Sequence, residues 1–338
     1  HGSMSEGEGS MSGHTHEAVN AAVDVIWWSD HDWRMTYHRH VSKFSFEAIT
    51  ESLEVGEPWS PTRAREATAL KGLLLHRRSG FNLATGGISS EKAFAGASSL
   101  LLEGSSSQPN FKSFLVRLGA DRARQKRSLA SDVRLGMAIF PEVVGPDARV
   151  GLELVLSQHP ANAEVPGQTV YVLHYFLSNS GEPAYRTGQV FHVPVPFVEG
   201  QWNLLDLPVS QDAIAGFPFL DGRDNSLSVI SFGVESRDTQ PVRAFFDDLT
   251  ISEAISGNDL LAVQREMADA LELEVPSVTH HLGTEISYEI EHLNEFSAGT
   301  ELHDWDQLAI DGGFVDPFTG WIDDLQAFRV FAARTVVD

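Results

Sequence analysis

The feature that most constrains the fold is a long central tract, about residues 41 to 252, in which helical periodicity nearly vanishes. Short apolar or alternating runs follow one another: "SSLLLEG", "FKSFLVRLG", "VRLGMAIF", "RVGLELVLS", "TVYVLHYFLS", "QVFHVPVPF", "SLSVISFGVES" and "VRAFFDDLTIS". Gly, Pro, Asn and Asp separate them. Alternation with period two marks half-buried strands, and the turn residues between runs reverse the chain. This predicts an antiparallel, jelly-roll-like β-sandwich. Pro194 and Pro196 carry no N–H donor, which places their run at a sheet edge or a bulge. The basic cluster Arg122, Arg124, Lys126 and Arg127 reads as a solvated hairpin loop.

The flanks read differently. Residues 1–40 give a Gly/Ser-rich loop, a short helix in "HTHEAVNAA" with Ala18, Val19 and Ala22 on one face, and an apolar strand over 23–29. Residues 253–338 give an amphipathic helix with Leu260, Val263, Met267 and Leu271 in register, Asn258 as its N-cap, a strand ending near Glu285, and a second helix over "TGWIDDLQAFRVFAARTVV". Removing the central tract makes this strand–helix alternation continuous. The expected organisation is an α/β domain in two parts, 1–40 and 253–338, with a β-sandwich inserted over 41–252. Residues 23–29 and about 278–286 should then be neighbouring parallel strands, joined through the helix over 258–272.

Composition narrows the chemistry. Lys and Arg number 24 against 47 Asp and Glu, a net charge of −23, which repels long nucleic acid. Cysteine is absent, so disulfides and thiolate ligands are excluded, and any metal must be held by His, Asp or Glu. No apolar run has the length of a membrane span.

The apolar strand "VDVIWW" stops at Ser29-Asp30-His31-Asp32. Imidazole and carboxylates grouped at a strand end suit a metal or acid–base site. Glu285 in "GTEIS" and His292 in "EHLNEF" also stand at predicted strand ends, and His1 and Glu6 lie in the opening loop. In this order, "HGSMSEG", "WWSDHDW", "GTEIS" and "EHLNEF" resemble the motifs of the polymerase and histidinol phosphatase (PHP) superfamily. The resemblance covers the two flanks. It implies a PHP-type distorted (β/α) barrel binding Zn, Mn or Fe. His1, Glu6, His31, Glu285 and His292 would be metal ligands, and Asp30 and Asp32 catalytic or orienting groups. The first His of the opening motif has no counterpart, Glu6 stands where the family has Asp, and the late His-Pro and Asp-x-His elements are missing. The chain is therefore expected to be a fragment, with the barrel cut at both ends. His14 and His16 follow a Gly/Ser loop and read as a solvent-facing pair.

The central tract resembles carbohydrate-binding-module-like sandwiches in "FSFEAI", "AFAGASSLLLEG", "EGQWNLLDLPV" and "FFDDLTIS". That resemblance implies a structural calcium between Glu47 and Asp247, completed by backbone carbonyls. Trp202 and Tyr185 are candidates for stacking on sugar. Two functions are thus expected in competition. One is a PHP-type phosphoesterase acting on a small phosphorylated substrate through metal-activated water. The other is a glycan-binding sandwich carried on an inactive scaffold. The inserted sandwich favours a secreted or periplasmic protein.

Overall fold

The computed structural model describes residues 10–31, 41–44, 46, 73–78, 82–118, 127–157, 170–253 and 257–285. The opening helix α1 (Met11–Asn20) is followed by strand β1 (Val25–His31). The sandwich then runs through β2 (Val41–Phe44), β3 (Leu73–Arg78), β4 (Leu83–Ser89), β5 (Ser99–Ser105), β6 (Lys112–Leu118), β7 (Arg127–Ser128), β8 (Arg134–Val143), β9 (Ala148–Ser157) and β10 (Val170–Leu177). It continues with β11 (Tyr185–Thr187), β12 (Val190–Val195), β13 (Asn203–Leu207), helix α2 (Val209–Gly216), β14 (Ser226–Ser236) and β15 (Val242–Ser252). Helix α3 (Gly257–Glu274) leads into β16 (Thr279–Glu285).

Among the described residues the sandwich has an eight-stranded sheet and a six-stranded sheet. The first has the order β11-β12-β10-β9-β14-β6-β3, with β7 also on β14; the second has the order β13-β8-β15-β5-β4, with β2 also on β15. Alternation decides what lies between them. β9 turns Val150, Leu152, Leu154 and Leu156 inward, and β10 turns Tyr171, Leu173, Tyr175 and Leu177. They meet Leu135, Met137 and Ile139 of β8 and Val242, Ala244, Phe246, Leu249 and Ile251 of β15. Burial of such side chains stabilises by about 1.5–3 kcal/mol each relative to exposure.

The edge expected at Pro194 is explained by the short β11, which pairs only with Val190, Phe191 and His192. At Pro194 β12 has a partner on one side, β10, through Phe176. Arg127 departs from the expected solvated loop. It is buried, and its Nε lies 3.1 Å from Glu253 Oε2; Arg122, Arg124 and Lys126 lie outside the described residues.

β1 and β16 pair in parallel, from Val25 beside Thr279 to His31 beside Glu285. The pairing expected between these distant segments is present, with α3 between the sandwich and β16. One face of the pair is packed by Met11, Trp28, Met267, Ala268 and Leu271. Val19 and Ala22, expected on the buried face of α1, are exposed; that face is Met11, Thr15 and Ala18. Asn258 lies inside α3, not before it. Trp28 Nε1 donates to His280 Nδ1 at 2.9 Å, so the remaining His280 proton sits on Nε2, 3.4 Å from Thr15 Oγ1. Thr15 Oγ1 in turn donates to the Met11 carbonyl at 2.8 Å.

The expected PHP-type barrel is corrected by this architecture. Among the described residues the parallel sheet has two strands, and antiparallel strands of the sandwich dominate. The strand–helix alternation of the flanks holds over their described residues; the helix expected over "TGWIDDLQAFRVFAARTVV" lies outside them. A periodicity fixes the type of each element but not how many strands join a sheet, and two strands backed by α1 and α3 satisfy it.

The two parts are tied by Asp224, which lies between α2 and β14 in the sandwich. Its buried carboxylate accepts from the Met11 and Ser12 amides and the Ser12 hydroxyl at the start of α1. The first amides of an α-helix have no acceptor one turn earlier in the helix, and a negative charge there also suits the helix dipole. Ser10, the N-cap, accepts from the Gly13 amide at 3.0 Å. Asp224→Ala should lower stability by about 1–3 kcal/mol, with Asp224→Asn losing less. Urea unfolding followed by Trp fluorescence checks this; an unchanged midpoint would mean the junction contributes nothing to stability.

Candidate functional site

The outer face of the eight-stranded sheet carries chemistry that a plain sandwich does not need. Because Tyr171, Leu173 and Tyr175 of β10 point inward, His174 and Phe176 point out. The same alternation turns Arg149, Gly151 and Glu153 of β9, Ser231, Gly233 and Glu235 of β14, and Ser113 and Leu115 of β6 to this face. Register places Gly151 beside Gly233, with the Glu153–Ser231 pair on one side and the Arg149–Glu235 pair on the other. A Cβ on Gly151 would lie 2.0 Å from the Tyr175 carbonyl oxygen, and one on Gly233 2.2 Å from that of Phe114. Only glycine fits at either position. The result is a strip without side chains between two polar rows.

Across that strip His174 Nε2 comes within 3.3 Å of Glu235 Oε2. Ser113 Oγ donates to the other carboxylate oxygen, Glu235 Oε1, at 2.7 Å. On its other side His174 Nδ1 is 3.0 Å from Nδ1 of His192, its register partner on β12. Tyr185 of β11 then lies flat against His192, with ring centroids 4.7 Å apart and planes 19° from parallel. The row thus runs Ser113, Glu235, His174, His192, Tyr185. It passes from the buried Ser113, Glu235 and His174 to the half-buried His192 and Tyr185. Glu153 is also buried beside His174 in register. Arg149 is held between Phe111 and Phe176, its guanidinium 4.3 Å from each ring centroid.

Protonation follows from these contacts. Burial alone would raise the Glu235 carboxyl, but the His174 imidazole, the Ser113 hydroxyl and Arg149 outweigh it and hold it at about 2. Burial, then the neighbouring His174 and Arg149, lowers His192 to about 4. At neutral pH the row therefore holds an ionised carboxylate and a neutral His192.

The six-stranded sheet presents a contrasting outer face. Trp202 meets Phe94 and Phe140 edge-on at 5.7 and 5.6 Å, and Lys92 sits 4.6 Å over Phe140. Arg243 pairs with Glu91, Glu103 and Glu142. Asp247 is buried and accepts from the amides of Phe94 (2.8 Å), Ala95 (3.0 Å) and Asp248 (2.8 Å). Its described role is to anchor the loop that carries Phe94 over this face. Glu47, its expected calcium partner, lies outside the described residues.

His1, Glu6, Asp32 and His292 also lie outside them. Asp30, His31 and Glu285 are described as backbone, with Asp30 beside Thr284 and His31 beside Glu285 at the same end of the parallel pair. Among the described residues, no group of three or more His, Asp or Glu side chains is arranged to hold a metal. The residues that sequence reasoning missed are His174, His192 and Glu235. Each is the one charged or imidazole residue, at an outward position, of its run, and glycines inside "RVGLELVLS" and "SLSVISFGVES" were the accompanying signal.

No family model matches the chain, and no curated protein matches it. Several solved structures align with it. One is a structure of carbohydrate-binding modules of the β-sandwich superfamily, at 12% identity and TM-score 0.34, covering 54% of this chain and 57% of that one. Another is the catalytic domain of Humicola grisea Cel12A in complex with a thio-cellotetraose, at 14% identity and TM-score 0.38, covering 54% and 96%. A third is a family 11 carbohydrate-binding module from Clostridium thermocellum with a mixed-linked tetrasaccharide, at 11% identity and TM-score 0.30, covering 57% and 94%. Likeness at this level carries nothing about activity or ligand. The architecture described above, with antiparallel sheets where a (β/α) barrel was expected, overturns the PHP assignment together with its hydrolase and phosphoesterase reading.

The row makes the sheet acid-sensitive in a definite window. The folded protein disfavours the protonated His192 that the unfolded chain accepts at its ordinary value of 6.5. That contribution is whole above pH 6.5 and is lost as pH falls through about 4. Glu235 adds a second loss, from its ordinary 4.5 down through about 2. Urea midpoints measured across this range should fall in both intervals, and His192→Gln should flatten the upper one. A wild-type midpoint that is constant from pH 6.5 to 4 would contradict the assignment.

Proposed function

We propose that the protein is a glycan-binding β-sandwich protein whose binding surface is the outer face of the eight-stranded sheet at β11 and β12. The observation that supports this is the half-exposed Tyr185 ring, braced flat on His192, at the open end of the buried His174–Glu235–Ser113 row. A ring fixed on one face offers its other face for stacking on the C–H face of a sugar. Neutral His192 and Arg149 supply hydrogen-bonding groups beside it, the combination of an apolar platform and few placed polar groups that small-ligand sites use. Trp202, packed edge-on between Phe94 and Phe140, is assigned to structure. Glycan binding also fits an exported protein, and no described helix is long and apolar enough to cross a membrane.

A glycan array followed by calorimetry with its strongest hit tests this reading. Tyr185→Ala should weaken binding at least tenfold, about 1.4 kcal/mol, while Trp202→Ala leaves it unchanged. No binding to any glycan, or loss with Trp202→Ala alone, would refute it.

A second, narrower proposal rests on the strand ends that place His31 beside Glu285. We infer a transition-metal ion there, with Asp30 and Asp32 adjacent in sequence. Elemental analysis of the dialysed protein should find a metal that His31→Ala lacks; equal contents in both would exclude it.

A further inference from the structure

Two imidazoles meet at the centre of the polar row. His174 and His192 lie directly opposite on the parallel strands β10 and β12 and point to the same face. Their Nδ1 atoms are 3.0 Å apart, with ring planes at 73°. We propose that His174 and His192 form a two-imidazole site for a divalent transition metal on the outer face of the eight-stranded sheet.

The tautomers support it. A carboxylate can only accept, so His174 turns an Nε2 proton to Glu235 and its Nδ1 to His192. Carboxylate–histidine pairs of this kind orient metal-binding imidazoles and raise their basicity, and here Ser113 fixes the carboxylate in turn. Among the described residues no hydrogen bond occupies Nε2 of the half-buried His192. The pair shares one proton between the two Nδ1 atoms as a hydrogen bond; a bound metal would displace that proton, with the His192 proton resting on Nε2. The carboxylates of Glu235 and Glu153 add negative potential beneath the site.

The spacing selects among metals. Two imidazole nitrogens bound at about 2.1 Å and at right angles stand about 3.0 Å apart, whereas a tetrahedral pair stands about 3.4 Å apart. The observed 3.0 Å suits the tetragonal preference of Cu(II) or Ni(II). Water or a bound ligand would complete the coordination.

This inference does not rest on glycan binding, because the metal is added with no sugar present. Titrate the full chain with Cu(II) and record its paramagnetic resonance spectrum. The wild type should take up one more equivalent than His192→Ala, with splitting from two imidazole nitrogens in that fraction. His192→Gln keeps a hydrogen-bonding side chain against His174 and should also lose the extra equivalent, with affinity reduced at least tenfold. Circular dichroism of both variants reports retention of the fold. A wild-type spectrum without the two-nitrogen signature would overturn the proposal. So would equal stoichiometry in the wild type and His192→Gln, and the pair would then be a hydrogen bond alone.

Discussion

Everything described here depends on the dry layer between the two antiparallel sheets. Leu152, Leu154, Tyr171, Leu173, Phe232, Ala244 and Phe246 are wholly buried in it. Strand geometry then leaves no freedom for their neighbours: each residue between two core residues must face outward. The two outer faces are therefore consequences of the core pattern. On one, Lys92 and Arg243 with their carboxylate partners close over Phe140 and Phe245. On the other, the same alternation sets His174, Glu235 and Arg149 around a floor of glycine. A single-residue register slip would send all of them into the core.

The second constraint is the Asp224 contact. It lets one carboxylate satisfy the first amides of α1 while that carboxylate is itself buried, so the sandwich and the parallel pair are joined by a bond that neither makes alone. Around it, Trp28, His280 and Thr15 form a chain in which each donor has one acceptor. This is how the pair of parallel strands β1 and β16 acquires a defined position against α1 and α3.

Much of the fold was legible in the sequence. The tract of short strands, the parallel neighbours on either side of it, and the edge position at Pro194 all follow from period and from the missing proline donor. The barrel was not there to be read: helix and strand periods matched in the described parts of the flanks, but periodicity says nothing of how many strands close a sheet. The polar row was legible only in part. Tyr185 was singled out as an aromatic candidate, while His174, His192 and Glu235 stood alone in three apolar runs separated by up to 61 residues of sequence. Their meeting depends on the register of β6, β14, β9, β10 and β12, which no local pattern encodes. Asp247 was legible as a carboxylate in "FFDDLTIS" suited to a cation; its oxygens accept from three backbone amides, and Glu47, its expected partner, lies outside the described residues.

The account's central claim is that ligand meets this molecule on the outer face of the eight-stranded sheet. Amide hydrogen exchange measured with and without a saturating glycan selected by array tests it most directly. The account predicts slowed exchange in residues 170–177 and 185–195, with 90–104 and 198–206 unaffected. Protection confined to the second pair of segments would move the site to the face around Trp202 and contradict the assignment made here.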